Sequence, residues 1–409
     1  MVSAYMLGPM LAYKLGVPRL DNLLTIVLIL GVSLIALTET TSINPKTFPA
    51  LLAIAVMSLW SALHLLVSPL TQVQFMDLLF FISLPFLFYL LYLIISRHDT
   101  PLAFIRRVLV VFTLFIAVPP AIEIITGTQF LQSSETLDLS LGVVKGLFFN
   151  PNNLGTTALC FAPAILVFFN TDVTPKEHKI GWLLFLALGL VVFVSASRTA
   201  TVCYIILLIT HLIYRGNPIL TVATVSLSGI LLSMIPKQMI GNFLLSMSGN
   251  IFLENMSSRL YLFLFELESD NSVGYRQEIY NYFWSNPPFL FLGYGPKNFS
   301  EYFSGHLSNS LGFENPHSFI IELYLGFGII SLLGFICFLG VYVLRTLLTK
   351  QLHNKQQFLA LVAIGLFVLA GFIPSTILRL PFIWLPCFMI LIYCALPYRH
   401  QSQQIQIKE

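Results

Sequence analysis

The chain alternates between long apolar stretches and short polar joints. A helix needs roughly 20 consecutive apolar residues to cross a bilayer. Windows of that kind predict about twelve helices, over 3–17, 22–38, 48–67, 75–95, 102–125, 148–170, 180–195, 199–213, 218–235, 317–344, 358–378 and 381–396. The first is short and contains Lys14, and the seventh and eighth are separated only by "SASRT". Pro and Gly interrupt several of these segments, which membrane helices tolerate because their neighbours re-satisfy the freed backbone groups. The predicted fold class is an all-α polytopic membrane protein, with one long extracytoplasmic loop between the ninth and tenth helices.

Lysines and arginines of short loops set the orientation, because they concentrate on the cytoplasmic side. One set of joints carries Lys46, Arg97, Arg106, Arg107, Lys176, Lys179, Arg215, Arg345, Lys350, Lys355, Arg399 and Lys408. The opposite short joints carry only Arg19, Lys145, Arg198 and Arg379. Both termini are then expected in the cytoplasm, and no cleavable signal peptide is recognised. The expected organisation is transmembrane helices one to nine over 1–235, an extracytoplasmic loop with short helices over 236–316, helices ten to twelve over 317–396, and a cytoplasmic tail over 397–409. The loop gathers Glu254, Glu266, Glu268, Asp270, Glu278, Glu301 and Glu314. Its aromatic run "GYRQEIYNYFWSNPPFLFLGYGPKNFSEYF" (274–303) argues against disorder, and a loop of this length is then expected to be functional.

Composition sharpens this picture. Of 409 residues, 57% are hydrophobic and 10% charged, with mean hydropathy +0.85; a soluble domain has about 25% charged residues. A net charge of +3 without basic runs gives nucleic acid no footing. The five cysteines, Cys160, Cys203, Cys337, Cys387 and Cys394, lie in apolar runs and read as small packing residues, with no disulfide framework or zinc site. P-loop, HExxH, GxSxG, Rossmann and DxD-like patterns are missing, so nucleotide, metal and serine-hydrolase chemistry have no sequence support.

The polar residues at outward helix ends carry the candidate chemistry. In "FENPHSFIIELYLGFGII" (313–330), Asn315 is a good N-cap and Pro316 suits the first helical position. His317 would then sit in the first turn, where the helix dipole disfavours imidazolium and leaves a neutral ring able to take a proton. A wetted interfacial histidine without a role is the alternative. "FFNPNNLGTTAL" (148–159) repeats the Asn–Pro cap at Asn150–Pro151, followed by Asn152 and Asn153. Such ends either bind phosphate through free N–H groups or are merely well capped. Arg198 in "VSASRTATV" is costly near a membrane, and so is either functional or snorkelling to the interface. Arg276 is one of the few loop cations, and with Arg198 could clamp a diphosphate. "LGYGPKNF" (292–299) reads as a tight turn in which Gly293 and Gly295 permit positive φ, with Lys297 near an anion or solvated. Glu322 follows His317 by five residues, and either orients it or is satisfied by a neighbouring helix. Asp77 and Glu123, near outer helix ends, are weaker candidates.

With these residues in view, the chain resembles the O-antigen ligase and O-antigen polymerase superfamily of bacterial membrane glycosyltransferases. The resemblance rests on "FNPNNLG", "SASRTA", the long outer loop and "NPHSFIIELYLGFGIIS", in that order, over about residues 145–345. The last stretch matches a ligase-type pattern of His, small polar residue, nine others and Gly, here His317, Ser318 and Gly328. Ser331 departs mildly from the small or β-branched residue usual three positions later. The resemblance implies a metal-independent enzyme without cofactor, in the bacterial cytoplasmic membrane with its active site outside. It would take a glycan from an undecaprenyl-diphosphate carrier and pass it to an acceptor hydroxyl, with His317 catalytic and Arg198 and Arg276 on the diphosphate. Membrane lipid and a chain-length regulator protein are the further partners it implies. Polymerase is the expected activity, with ligation to a lipid core, wall component or protein as the alternative. Lipid-linked glycan transport and a non-catalytic scaffold are rivals from other classes. Transport would want charges through mid-bundle, where Lys14 and Glu322 are the main candidates.

Overall fold

The computed structural model describes residues 2–16, 20–38, 43–67, 69–131, 143–216, 218–246, 251–265, 271–296, 298, 300–303, 316–374, 378 and 380–397. Its order begins α1 Val2–Leu15, α2 Leu20–Thr38, α3 Phe48–Leu59, α4 His64–Val67, α5 Gln72–Arg97 and α6 Pro101–Thr126. The buried centre and its flanks follow as α7 Pro151–Phe168, α8 Pro175–Val194, α9 Arg198–Arg215 and α10 Pro218–Met234. Short helices α11 Lys237–Leu245, α12 Ile251–Phe265, α13 Asn271–Ser285 and α14 Ser300–Phe303 occupy the predicted loop. The chain closes with α15 Phe319–Leu348, α16 Asn354–Ala370 and α17 Leu385–Ala395. Every predicted apolar window coincides with a helix, and the described residues hold no strand.

Seven helical stretches are long and apolar enough to cross a membrane: Leu20–Thr38, Phe48–Val67, Gln72–Arg97, Pro101–Thr126, Pro151–Phe168, Pro175–Val194 and Phe319–Leu348. The apolar helices Arg198–Tyr214, Pro218–Ile230, Asn354–Ala370 and Pro381–Ala395 are shorter, and α1 has 14 residues. The protein is thus an all-helical multi-pass membrane protein in which seven of the twelve expected segments have full spanning length among the described residues.

Local chemistry starts and stops these helices. Thr71 with Gln74, and Thr174 with Glu177, form reciprocal capping boxes at α5 and α8. Asn150 caps α7 by accepting from the Asn152 N–H at 2.8 Å, and Pro151 takes the first helical position. α7 is the hub, buried from Leu154 to Phe168 and packed by α6, α8, α9, α16 and α17. Its C-terminal end is sealed by Arg106, which donates to the carbonyls of Phe168, Thr171 and Asp172 and pairs with Glu177 at 2.9 Å. Glu123 anchors the chain entering α7: its carboxylate accepts from the N–H groups of Phe130, Lys145 and Gly146. That is a structural use for a residue first met as a weak candidate.

Two spans are broken at one level. The span Phe48–Val67 tightens into a 3₁₀ turn at Trp60–Leu63. α15 is two helices joined at Gly328, whose φ of 76° and ψ of −173° are non-helical. α3 and α15 run very close, since a Cβ on Gly334 would meet the Met57 backbone and Ser331 Oγ donates to the Met57 carbonyl at 2.7 Å. Smallness and a hydroxyl are what position 331 needs here.

Candidate functional site

The broken helix is filled by the turn that follows α13. Breaking a helix frees backbone groups that hydrocarbon cannot satisfy. Tyr294 N donates to Leu325 O at 2.7 Å, Gly295 N to Gly326 O at 2.9 Å and Ile329 N to Leu290 O at 3.0 Å. His64, at the other break, bonds Leu292 O through Nε2 at 3.0 Å, and Gln74 reaches Asn298 at 2.5 Å. Gly293 and Gly295 take the positive φ expected of them, 86° and 94°. A Cβ on Gly328 would strike the Phe291 carbonyl and Leu292 N. The motif glycine is therefore fixed twice, by its φ and by the loop backbone lying on it. Tyr324 accepts from Leu290 N and donates to Pro288 O, and Ile279, Phe283, Tyr302, Phe303, Ile321 and Leu325 form a small apolar core beneath the loop.

Next to this plug, three predicted elements converge. The N-terminal turns of α7 and α9 are in contact: a Cβ on Gly155 would meet Ser195 Oγ at 2.7 Å and Ser197 Cβ at 3.0 Å. Arg198 is half-buried in the first turn of α9, after Ala196 at φ 52°. Asn152 and Asn153 are half-buried in the first turn of α7. α13 brings Arg276 and Tyr280 to the same place. A cleft of about 420 Å³ is lined by Thr199, Arg276, Gln277, Tyr280, Asn281 and Phe372.

His317 adjoins this cleft through Tyr280, whose hydroxyl donates to the His317 carbonyl at 2.9 Å. The expected placement of His317 inside the helix is corrected. α15 starts at Phe319, with Ser318 as N-cap accepting from Ile321 N, so Pro316 is not at the first helical position. His317 stands just before the cap at φ 47°, a left-handed conformation unusual for a residue with a Cβ. Its side chain is buried, with 8% exposure. Burial, and then the charge of Arg276, push the ring from 6.5 down to about 4. The neutral ring expected from the helix dipole thus has other causes here, desolvation and a neighbouring guanidinium. Burial also pushes the Tyr280 phenol up, against the opposing pull of Arg276, so it remains a donor.

The arrangement brings Arg276, Tyr280 and His317 together, and Arg198 is the chain neighbour of Thr199, which lines the cleft. Ser318 serves as cap, and Glu322 is buried within the first turn of α15. Asn315 and Lys297 lie outside the described residues. Tyr280, Thr199 and Phe372 were missed in the sequence. Only Tyr280 left a signal, four residues after Arg276 and hence on the same helix face. Among the described residues, no group of three or more His, Cys, Asp and Glu could hold a metal ion.

Residues 183–339 match the family model described as O-Antigen ligase. No curated protein matches the chain. The matched segment runs from within α8 to within α15 and contains Arg198, Arg276, His317 and Gly328. Over that segment the chain is similar to the O-antigen ligase family, whose members are glycosyltransferase-like enzymes.

Proposed function

We propose that the protein polymerises a surface polysaccharide at the outer face of the bacterial cytoplasmic membrane. It moves a glycan from an undecaprenyl-diphosphate carrier to a hydroxyl of an acceptor glycan, with twelve crossings and both termini in the cytoplasm. The observation that carries this reading is a cleft lined by Arg276 and the α9 N-terminus, with the α7 N-terminus packed against α9 and a buried neutral histidine held to the cleft residue Tyr280. A diphosphate leaving group is stabilised by guanidinium groups and helix N-termini. Arg198 and Arg276 hold it, Asn150, Asn152 and Asn153 shape the α7 terminus, and Lys297 and Asn315 are supporting residues.

In the reaction the acceptor oxygen attacks the anomeric carbon as the bond from that carbon to the diphosphate oxygen breaks. Undecaprenyl diphosphate leaves with the electron pair, and the hydroxyl proton passes to His317. One displacement inverts the anomeric centre. A ring at about 4 is a weak base near neutrality. The donor supplies the remedy: its negative charge beside Arg276 offsets the field that depresses His317, so the base strengthens once the donor is bound. Ser318 holds the helix end under His317, and Glu322 supports the same turn.

Ligation to a lipid core, wall component or protein uses the same site and differs only in acceptor. A gel of surface polysaccharide and lipid-linked glycan from the host tests both readings. In a polymerase, His317→Ala leaves single repeats and no ladder. In a ligase, long lipid-linked chains accumulate with nothing attached. An unchanged pattern in a deletion strain overturns glycosyl transfer, and NMR showing retained configuration overturns the single displacement.

A further inference from the structure

We infer that the outward face of α13 is a saccharide subsite, which seats neutral sugar residues beside the bond being made. This deepens the proposed function and rests on it. Gly274, Gln277, Glu278, Asn281, Tyr282 and Ser285 recur at helical spacing and, with Asn286, line a cavity of about 490 Å³. It is contiguous with the Arg276 cleft, because Gln277 and Asn281 line both. The two cavities differ in chemistry. The inner one has a guanidinium and a helix N-terminus, suited to an anion. The outer one has amides, a hydroxyl, a phenol and one carboxylate, and among the described residues no cation lines it. Amides and hydroxyls both donate and accept, as vicinal sugar hydroxyls require, while a phosphate would meet only the Glu278 carboxylate as its charged neighbour.

A polar stripe on a surface helix is ordinarily just solvated. This stripe borders an open pocket, and it is backed rigidly. Ile279 and Phe283 are buried on the opposite side of the helix, Tyr302 donates to Asn286 O at 2.7 Å, and the Tyr282 ring packs on Tyr302 at 5.3 Å. Both cavities fall within the size range of small-molecule sites, about 300–1,000 Å³. A chain seated along α13 would pass from sugar to diphosphate within one helix length.

The test uses the full chain in lipid nanodiscs and two probes. One is inorganic pyrophosphate. The other is a neutral repeat-unit oligosaccharide released from the host polysaccharide and free of lipid. Ser285→Trp is expected to abolish oligosaccharide binding by filling the pocket. Glu278→Gln is the gentler variant and weakens that binding about tenfold. Both should bind pyrophosphate as the wild type does. Oligosaccharide affinity unchanged in both variants, or absent in the wild type, overturns the subsite while leaving the diphosphate reading intact. Oligosaccharide loss in the variants, with pyrophosphate binding indifferent to Arg276→Ala, keeps the subsite and sinks the diphosphate reading. Initial rates identify the source of the sugar. A rise in acceptor KM assigns the pocket to the acceptor, a rise in donor KM assigns it to the donor's own glycan, and no rise in either overturns the inference.

Discussion

The two ends of α7 are built on opposite plans. At Phe168 the helix meets Arg106, a buried guanidinium whose donors are taken up by three carbonyls and the Glu177 carboxylate. At Asn150 it meets another helix start, packed so tightly that Gly155 has no room for a Cβ beside Ser195. A cation at a helix C-terminus satisfies the negative end of the dipole, and the matter closes there. Two N-termini side by side add their positive ends, and Arg276 adds a full charge at a cleft that opens to solvent. The two arginines thus differ in setting: Arg106 closes a helix end against carbonyls and a carboxylate, and Arg276 lines a cleft of ligand size.

Variants at the two ends would break or sharpen this contrast. The largest effect is expected from His317→Ala, which should lower the transfer rate about 10²- to 10⁴-fold with the melting temperature unchanged. Next comes the pair Arg276→Gln and Arg106→Met. The first should cost about 10²- to 10³-fold in rate and leave thermal unfolding in detergent alone. The second should destabilise the fold by about 3 kcal/mol or more, because it strands buried carbonyls and a carboxylate. If Arg106→Met melts normally and Arg276→Gln does not, the assignment of the two arginines is reversed.

Tyr280→Phe removes one hydroxyl and the bond to the His317 carbonyl. About 1 kcal/mol is expected, roughly a fivefold loss in kcat with donor KM little changed. The smallest effect is on pH dependence. His317 is neutral above about 4 in the free enzyme, so kcat/KM should hold as pH falls and drop only near 4. Removing the Arg276 charge raises the ring's affinity for protons, so residual activity of Arg276→Gln should fall away at a higher pH. An acid limb that stays in place would show that burial alone depresses His317.

The sequence displayed the parts of the fold that depend on length and hydropathy alone. The helices came from apolar windows, the Asn150 cap from Asn–Pro, and the turn at Gly293 and Gly295 from its glycines. It hid whatever depends on a distant backbone. Gly328 resembles the other glycines of apolar helices, and only the Phe291 carbonyl lying against it shows why it must be there. Asn315 was a plausible cap by composition, yet Ser318 won because Phe319 N finds its acceptor in Gly371 O, across from α16. Arg198, Arg276 and His317 could be singled out as costly or scarce residues, but Tyr280 could not, since an interfacial tyrosine is ordinary until its hydroxyl is seen to hold the histidine's carbonyl.

Gly328 also works as the far jaw of a calliper. Between the Ser318 cap and this glycine lie Phe319–Phe327, a helical interval of roughly 13 Å. One jaw grips the loop from 288 to 295, the other presents His317, and the loop leads back through α13 to Arg276. One inserted residue would turn one jaw by about 100° against the other and lengthen the gap by about 1.5 Å. Base and guanidinium would then no longer face one site, although every side chain were retained. The interval between His317 and Gly328 is therefore a gauge length, and a deletion or insertion inside it should silence the protein where substitutions at the same positions are tolerated.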